Sequence, residues 1–418
     1  MQKIMSKLEE LIQRYCPDGV EWMPLKDIAT QWYRGAGIKR EEVSEDGIPC
    51  IRYGEIHTTY SIWFDECVSH TDENKQISRK YADYGDILFA ITSEDIPFIG
   101  NSVAYVGTER ILVGGDIVVM KHSQNPKYIA YALSTNDAIK QKGKGKVKSK
   151  VVHTNVPSLQ EIVIPVPPLP VQEEIVRILD IFTELQAELQ AELQAELQKR
   201  KSQYSYYLDN LLSFNKWGGQ TGVRWMKMSE VCLKISSGGT PTRKNGSYFK
   251  GDIPWLRTQE VDWNSIYDTE IKITEEAIKN SSAKLIPENC VIIAMYGATA
   301  GKAGINKIPL TTNQACCNLQ INPQTALYEY VYYWICKDYE KIKSLGQGSQ
   351  NNINAQIVKD YPIPVPSLAE QKRIVSILDR FDRLANDLSS GLPAEMKKRR
   401  QQYEYYRDKL LSFKRKGA

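Results

Sequence analysis

The sequence of 418 residues has no run of about 18 apolar residues, the length that a membrane-spanning helix requires. Its first residues, MQKIMSKLEELIQRYC, also lack the apolar stretch and the small-residue cleavage site of a secretory signal. These absences argue against membrane-spanning and secreted proteins, and they predict a cytoplasmic protein.

Cysteine and histidine are too few and too widely spaced to predict a metal centre. The eight cysteines include no CxxC pair, and only four histidines accompany them. Structural zinc sites need four such ligands at short spacings, and disulfide frameworks are typical of small secreted domains. We predict no metal site and reduced, mostly buried thiols. The cysteines are Cys16, Cys50, Cys67, Cys232, Cys290, Cys316, Cys317 and Cys336.

The motifs of DNA-modifying catalysis are also missing. An adenine methyltransferase holds its flipped base with an Asn/Asp/Ser-Pro-Pro-Tyr/Phe loop, whereas the chain has only NPK at 125–127 and NPQ at 322–324. GATAGK at 297–302 has three residues between its glycines, where a phosphate-binding loop has four, and Ala303 stands where Ser or Thr would hold magnesium. We predict no catalytic residue and no bound cofactor.

The overall charge does not identify a partner. The chain has 54 Lys and Arg against 50 Asp and Glu, a net charge of +4. This balance permits nucleic-acid binding without requiring it, so the location of the charges carries more information than their sum. The length predicts two or three domains.

The second half of the chain repeats the first. IPVPPLPVQEEIVRILDIF (164–182) returns as IPVPSLAEQKRIVSILDRF (363–381), with 12 of 19 residues identical at an offset of 199. KRKSQYSYYLDNLLSF (199–214) returns as KRRQQYEYYRDKLLSF (398–413) at the same offset. A period of about 200 residues is too long for a solenoid and indicates a duplicated unit with a pseudo-two-fold axis.

The segments before these blocks repeat more loosely. VEWMPL (20–25) matches VRWMKM (223–228) at an offset of 203, and IPCIR (48–52) matches IPWLR (253–257) at 205. The changing offset indicates insertions in two variable domains, each followed by a constant helical region. We predict a first variable domain with a short N-terminal helix, a first helical region, a second variable domain and a second helical region at 1–157, 158–215, 216–356 and 357–418.

Each constant region predicts a helix of about 40 residues, or roughly 60 Å. Apolar residues recur every three or four positions and form one face, which requires a partner helix. The other copy is the simplest partner, in an antiparallel pair. The predicted helix-pair interface consists of Ile178, Phe182, Leu185, Leu189, Leu193, Leu197, Ile377, Phe381, Leu384, Leu388, Leu392 and Met396.

Two local signals refine the second helix. Ser367 and Glu370 precede an apolar-periodic run and predict a capping box at its start. Gly391 and Pro393 predict a kink or an interruption near residues 389–393.

The tract TELQAELQAELQAELQ at 183–198 repeats a four-residue unit of good helix formers. Each unit adds about 6 Å to a helix, nearly two base-pair steps of duplex. Without the duplication, an ordinary coiled-coil seam would be the favoured explanation of the leucines. Because the helical region is duplicated, the same tract serves both as the coiled-coil seam and as an adjustable spacer.

The order of two variable domains and two nearly identical helical regions resembles the specificity subunit of type I restriction–modification enzymes. The recurring IPVP and KR..QY.YY blocks are similar to that family's constant regions, and the AELQ tract is similar to its length-variable repeat. SGGTPTR, IPWLRT, IIAMYGATAGKAGI and TTNQACCNL in the second variable domain resemble a target recognition domain.

The resemblance implies an α+β fold with two mixed α/β target recognition domains, separated by two long antiparallel helices that are coiled-coil-like, in an internal pseudo-two-fold repeat. Each domain would read half of a bipartite, asymmetric site in double-stranded DNA. The helices would set the gap and dock two adenine methyltransferase subunits, which restriction subunits join. The partners would use S-adenosylmethionine, ATP and magnesium, and the specificity subunit itself would be non-catalytic.

The residues predicted to bind DNA fall into three chemical groups. The lysine-rich segment 140–150 is either a solvated loop or one whose glycines let lysines follow phosphates. Amides read adenine or cap local backbone, and arginines read guanine or form structural ion pairs. GATAGK either brings backbone and Lys302 to a phosphate or is a plain tight turn. The predicted residues are Arg52, Lys144, Lys146, Lys148, Lys150, Thr240, Arg257, Tyr296, Lys302, Asn313, Gln314, Gln350 and Asn352.

Two other functions compete with DNA recognition. A non-catalytic coiled-coil scaffold that joins two ligand- or protein-binding domains fits the same helices. A self-contained methyltransferase is disfavoured by the missing catalytic loops.

Overall fold

A computed structural model describes residues 2–72, 74, 76, 78–93, 98–143, 147–148, 151–214, 223–346, 352–386 and 390–417. The chain forms two compact units. The first unit consists of Met1–Glu192 and Met396–Ala418, and the second of Leu193–Glu395. Each unit therefore contains one variable domain together with parts of both constant helical regions.

The first unit mixes short helices with short strands. Its helices are α1 (Gln2–Tyr15), α2 (Leu25–Ile28), α3 (Tyr53–Thr58), α4 (Pro126–Leu133), α5 (Asn136–Lys142) and α6 (Val156–Gln160), with a 3₁₀ turn at Arg40–Glu42. Its strands are β1 (Trp22–Pro24), β2 (Ala29–Arg34), β3 (Val43–Ser44), β4 (Ile48–Ile51), β5 (Trp63–Phe64), β6 (Ser69–Thr71), β7 (Tyr81–Ala82), β8 (Ile87–Ala90), β9 (Thr92–Ser93), β10 (Ser102–Tyr105), β11 (Ile111–Val113), β12 (Ile117–His122), β13 (Val147–Lys148), β14 (Val151–His153) and β15 (Val163–Pro165).

The long helix α7 (Leu169–Leu211) begins in the first unit and ends in the second. The helices that follow are α8 (Glu275–Lys279), α9 (Tyr328–Lys337), α10 (Tyr339–Ser344), α11 (Ala355–Asp360), α12 (Leu368–Asn386) and α13 (Leu392–Leu410), with 3₁₀ turns at Met228–Glu230, Gly246–Phe249 and Thr258–Glu260. The strands are β16 (Arg224–Lys227), β17 (Cys232–Ser237), β18 (Ile253–Leu256), β19 (Asn264–Ile266), β20 (Lys272–Ile273), β21 (Val291–Ala294), β22 (Ala303–Asn306), β23 (Thr311–Thr312), β24 (Cys316–Ile321) and β25 (Pro362–Val365).

Both units are built on the same sheet. The strand order β2-β12-β8-β10-β5 of the first unit corresponds to β17-β24-β21-β22-β19 of the second. In each, a second sheet contains one parallel pair, β4 with β11 and β18 with β23. The IPVP segment of each constant region is a strand that pairs antiparallel with the strand opening the domain, β15 with β1 and β25 with β16. The predicted mixed α/β domains and internal repeat are confirmed.

The constant regions form the predicted helices. α7 is 43 residues long and includes the whole AELQ tract. At the start of α12, the backbone N–H of Glu370 donates to Ser367 Oγ over 3.3 Å, which is half of the predicted capping box. The Glu370 carboxylate instead accepts from Arg373, at 2.7 and 2.8 Å, because the arginine lies one turn along the same face.

The second constant region is interrupted where glycine and proline predicted it. α12 ends at Asn386 and α13 begins at Leu392, with Pro393 as its second residue. Proline is tolerated in the first turn of a helix because the N–H it lacks has no intrahelical acceptor there.

Within each unit the constant helices pair antiparallel. In the first, Thr183 Oγ1 lies 2.8 Å from the Tyr403 hydroxyl, and Leu189 shares a groove with Arg399. In the second, the rings of Tyr207 and Phe381 stack with centroids 4.7 Å apart. Residue numbers therefore rise on one helix as they fall on the other.

The predicted helix-interface residues differ in burial. Ile178 and Leu197 are buried, whereas Leu185 and Leu384 are exposed over 55% and 37% of their surface. Leu388 lies outside the described residues. The remaining members are partly buried: Phe182, Leu189, Leu193, Ile377, Phe381, Leu392 and Met396.

The hydrophobic cores join each domain to its helices. Val171, Ile175 and Leu179 of α7 pack in the first unit's core with Leu410 and Leu411 at the C-terminal end of α13. The second unit's core combines Leu208 and Leu212 with Ile374 and Leu378 in the same way. Within the described ranges, no helix is both long and apolar enough to cross a membrane.

The cysteines are free thiols, and five of the eight are buried. Burial raises the pKa of the Cys50 and Cys316 thiols to about 12, which keeps them protonated at neutral pH. The predicted burial of most of the thiols is confirmed.

Lys142, at the end of α5, is a buried lysine in the first unit. Its side chain is 7% exposed, and its ammonium donates to Ser102 Oγ over 3.0 Å. Burial, followed by the positive charge of Arg407, lowers its pKa from 10.5 to about 7. Between pH 7 and 10.5 the unfolded chain therefore binds more protons at this position than the folded one, so the contribution of Lys142 to stability rises with pH.

We expect Lys142→Met to stabilise the protein at pH 7 by a few kcal/mol, because methionine removes the cost of burying a charge. The gain should nearly vanish at pH 10, where the lysine is neutral in the folded protein and increasingly so in the unfolded one. Urea unfolding of both proteins at the two pH values measures the difference. Lys140→Met, on the exposed side of the same helix, is the control and should change little. A gain at Lys142 that is independent of pH would contradict the assignment.

Candidate nucleic-acid interface

Three loops of the second unit meet at one end of its sheets. The backbone N–H of Gly239, after β17, donates to Thr312 O over 2.8 Å. Trp255 Nε1 donates to Gly239 O over 2.9 Å, and the backbone N–H of Asn313 donates to Leu256 O over 2.9 Å. The loops that follow β17, β18 and β23 therefore lie side by side.

Two of the predicted amide side chains stand on this edge. Thr240 Oγ1 donates to Gln314 Oε1, so two residues 74 positions apart are brought together. Asn313 is half-buried, and its Oδ1 is shielded from solvent with no hydrogen-bond partner among the described residues. An amide offers a donor and an acceptor on one plane, which matches the N6 and N7 edge of adenine.

Arg257 lies beside them and is held by carboxylates. Its backbone N–H and its Nε both donate to Glu260 Oε1 over 3.2 Å, and its Nη2 pairs with Glu270. Arg52 of the first unit makes the corresponding contact, with Nη2 at 3.3 Å from Glu55 Oε1. The structural ion pair that competed with guanine reading is thus present at both positions. Guanine reading by either arginine stays a prediction.

The GATAGK segment is a tight turn between β21 and β22. Gly297 and Gly301 have φ values of +84° and +85°, which glycine adopts without strain. A phosphate-binding loop would instead open a helix. The turn reaches the same edge, because Thr299 Oγ1 donates to Thr258 O over 2.7 Å and Gly297 N–H donates to Asn352 Oδ1 over 3.3 Å.

Tyr296 and Lys302 flank this turn. The tyrosine is 45% exposed, whereas the lysine ammonium lies 2.6 Å from Asp262 Oδ1. A phosphate contact by Lys302 would therefore compete with this ion pair. We call the following residues the second edge: Thr240, Arg257, Tyr296, Asn313, Gln314 and Asn352.

The first unit has a charged cleft at the equivalent place. Its volume is about 620 Å³, and three arginines line it with the backbone of Gly114 and Gly115. Arg34 donates from Nε to Gly115 O over 2.5 Å and lies 2.6 Å from Asp116 Oδ1. We call the following residues the first edge: Arg34, Arg40, Arg52, Gly114, Gly115 and Asp116.

The two edges share a backbone frame and differ in side chains. Gly114 N–H donates to Ile51 O over 2.8 Å, as Asn313 N–H donates to Leu256 O in the second unit. Asn313 and Gln314 therefore occupy the positions of Gly114 and Gly115. Both edges keep one arginine, Arg52 in the first and Arg257 in the second. Around it the side chains differ, because the first edge adds two further arginines and the second adds amides.

Arg34 and Arg40 were not among the residues predicted from the sequence to bind DNA. The 203-residue offset of the VEWMPL and VRWMKM segments places Arg34 opposite Ser237, at the end of equivalent strands. That signal was available in the sequence. The alignment of Arg34 with Ser237 indicates a binding residue only once the cleft is known, and the cleft forms only in the folded chain.

Part of the lysine-rich segment, 144–146 and 149–150, lies outside the described residues. Lys144, Lys146, Lys150 and Gln350 all belong to positions that the structure does not describe, and Lys148 is assigned by its backbone to β13. Among described residues, no group of three or more His, Cys, Asp or Glu side chains is arranged to hold a metal ion.

The comparisons with known proteins agree with the duplicated fold. Residues 17–199 and 222–398 match the type I restriction modification DNA specificity domain. The Escherichia coli type I restriction enzyme EcoR124I/EcoR124II specificity subunit is 38% identical over 268 residues, which are 61% of this chain and 64% of that protein. A putative type I restriction enzyme specificity subunit from Haemophilus influenzae is 33% identical over 282 residues, 64% of this chain and 68% of that protein.

The fold has a solved counterpart. A chain from a structural study of the assembly and conformational transition of the type I R-M system has a TM-score of 0.64 at 18% identity, and the match covers 94% of this chain and 98% of that one. This chain spans about two thirds of the length of the two curated relatives named above. Because the two ranges that match the domain take in most of the chain, the protein belongs to the family of the type I restriction modification DNA specificity domain.

Proposed function

We propose that the protein is the DNA-recognition and assembly subunit of a type I restriction–modification complex, acting in the cytoplasm on a bipartite, asymmetric site in double-stranded DNA. The first edge contacts one half-site and the second edge contacts the other. The constant helices set the gap, meaning the unread base pairs between the half-sites.

One observation carries this proposal: a duplicated backbone frame presents different side chains at its two edges. A protein that binds one ligand twice would keep the same side chains at both places. A protein that reads two different half-sites needs the same frame and different reading groups.

The chemistry of the edges suggests which bases they favour. Arginine pairs bidentately with the O6 and N7 atoms of guanine, and Asn or Gln pairs with the N6 and N7 atoms of adenine. The first edge has three arginines, whereas the second has a single arginine together with the amides of Asn313, Gln314 and Asn352. We assign guanine-containing sequence to the first half-site and adenine-containing sequence to the second.

The C-terminal parts of α7 and α13 offer docking surfaces for partner subunits. Tyr206 is exposed over 64% of its surface and Tyr405 over 61%, and they occupy the same position in the two repeats. Two equivalent tyrosine-bearing surfaces suit two copies of one partner, because aromatic residues are enriched at protein interfaces. We assign these surfaces to two adenine methyltransferase subunits, which restriction subunits then join.

The chemistry belongs to the partners in this proposal. The methyltransferase subunits bind S-adenosylmethionine and flip the target adenine, and the restriction subunits use ATP and magnesium. This chain contributes selection of the site and assembly, without a catalytic residue of its own.

The test is reconstitution. We expect the purified chain alone neither to bind S-adenosylmethionine nor to methylate DNA, and we expect methylation of one bipartite motif when the cognate modification subunit is added. Single-molecule sequencing of the treated DNA identifies the motif. Methyl transfer by the chain alone would contradict the proposal.

A scaffold without DNA contacts gives another result. In that case the reconstituted complex would show no sequence preference, and variants at the two edges would leave its DNA binding unchanged.

A further inference from the structure

A buried glutamine lies at the start of each constant helix. Gln172 in α7 and Gln371 in α12 are fully buried, with no exposed surface. Gln172 Oε1 accepts from the backbone N–H of Asn125 over 3.1 Å, and its Nε2 donates to Pro167 O over 2.7 Å. Each glutamine thus joins the helix to the domain before it.

Gln371 repeats these contacts in the second unit. Its Oε1 accepts from the backbone N–H of Leu327 over 2.9 Å, and its Nε2 donates to Pro366 O over 2.9 Å. The acceptor prolines are equivalent residues of the two IPVP segments.

Two buried tyrosines of each domain complete the connection. In the first unit, Tyr128 donates to Pro165 O over 2.9 Å and Tyr131 donates to Asp180 Oδ1 over 2.9 Å. In the second, the corresponding distances are 2.8 Å from Tyr330 to Pro364 O and 2.6 Å from Tyr333 to Asp379 Oδ1. The aspartates lie about three turns into α7 and α12, so each helix is held at two levels.

The tyrosines are retained while their neighbours change. The α4 segment is YIAY at 128–131, and the equivalent α9 segment is YVYY at 330–333, so that only the tyrosines are shared. An apolar contact would bury the same surface without a preferred direction. Hydrogen bonds are directional, and in a buried site each must be satisfied, so this set selects one orientation of the helix.

Because α7 is long, a small change in its orientation moves its far end by a large distance. Its 43 residues extend over about 64 Å at 1.5 Å per residue. A tilt of about 3° at its start displaces its end by roughly 3.4 Å, which is one base-pair step of duplex. Positioning to within one base pair therefore requires an angle held within a few degrees.

We propose that these two sets of hydrogen bonds are helix clamps, which hold each recognition domain at a set angle to its constant helix and so keep the gap at one length. The clamp residues are positioning residues: Tyr128, Tyr131, Gln172 and Asp180 in the first unit, and Tyr330, Tyr333, Gln371 and Asp379 in the second. The inference rests on the proposed function, because it concerns the gap between the half-sites.

The experiment uses the reconstituted complex and a pool of duplexes. The duplexes carry both half-sites with the natural gap, with one pair fewer and with one pair more, and methylation of each is counted by sequencing. We expect the double variant Tyr131→Phe/Tyr333→Phe to raise methylation at the two unnatural gaps, relative to the natural gap, about ten-fold. Gln172→Leu/Gln371→Leu should do the same. If this variant does not fold, the tyrosine variant alone tests the proposed helix clamps.

Tyr105→Phe is the matched control. Tyr105 is also buried, and its hydroxyl donates to Glu109 O over 2.6 Å inside the first domain. Its loss removes a comparable hydrogen bond that does not reach a constant helix. We expect lower thermal stability for this variant and an unchanged preference for the natural gap.

Two outcomes would overturn the helix clamps. One is a gap preference identical to that of the parent protein despite loss of the hydroxyls, and the other is a change in either half-site sequence. The parent complex tests the proposed function separately: if it methylates no bipartite motif, that proposal fails before the variants are compared.

Discussion

Deletion of one repeat unit, Ala191–Gln194, is expected to shorten the gap by one base pair and to leave both half-site sequences unchanged. The deletion shortens α7 by about 6 Å and rotates the residues after it by about 40°, since four residues exceed one turn of 3.6. The leucine stripe survives, because its spacing in this tract is itself four.

The rotation of α7 favours the loss of one base pair from the gap over the loss of two. Duplex DNA turns by roughly 34° per base pair at 10.5 pairs per turn, so one lost pair nearly matches the 40° rotation of the helix. Two lost pairs would match the 6 Å better at 3.4 Å per pair, but they would leave the second edge rotated away from its half-site.

The measurement is the methylated motif of the deletion variant, determined across a genome. Glu192→Gln is the control, because it changes the same exposed unit without changing its length, and its gap should be that of the parent protein. An unchanged gap in the deletion variant, or a new half-site sequence, would refute the role of the tract as a spacer.

The second large effect is expected from Gly238→Ala, which should abolish discrimination at the second half-site. A Cβ at this position would lie 2.1 Å from Thr312 O and 2.3 Å from Asn313 O, both backbone atoms. The loops of the second edge must separate to admit it, which costs about 1–3 kcal/mol and displaces Asn313 and Gln314.

Gly35→Ala is the reciprocal variant. Its Cβ would lie 2.1 Å from Gly114 O on the first edge. We expect each variant to lose, by at least about ten-fold, the preference for its own half-site and to retain the other. Binding of the full complex to duplexes mutated in one half-site at a time measures both preferences.

Gly246→Ala is the matched control, because a Cβ there meets no atom within 4 Å. Its binding should equal that of the parent protein. If Gly238→Ala weakened discrimination at both half-sites equally in a complex that is still folded, the assignment of one edge to one half-site would be wrong.

Much of the helical architecture was predictable because it depends on local signals. The AELQ tract and the apolar stripe predicted a helix of about 40 residues, and α7 has 43. Gly391 and Pro393 predicted the break that separates α12 from α13. Propensity and periodicity act within a few residues, so the sequence shows them directly.

The capping box was predicted only in part, and for a physical reason. Ser367 caps α12 as expected, but Glu370 has a competing partner, Arg373, on the same helical face. A motif indicates which contacts a side chain can make. The neighbouring residues in the folded chain determine which of these contacts forms.

The candidate site was predictable as a set of residues and not as an arrangement. TTNQ, IPWLR and IIAMYG all contribute to the second edge, but the sequence does not bring Thr240 to Gln314, 74 residues away. It also left two alternatives at Arg52 and Arg257, and the carboxylates of Glu55 and Glu260 are contacts that the fold provides.

The sequence by itself determined the duplication, the helical constant regions, their break and the family resemblance, because each is a pattern of neighbouring residues or of repeated words. Only the tertiary structure decided which loops form the two edges, that Arg34 joins Arg52 in a charged cleft, and that Gln172 and Tyr131 connect a domain to its helix. Those contacts join residues that are far apart in the chain. They form only in the folded protein, where packing excludes water and each buried polar group must hydrogen-bond to another protein group.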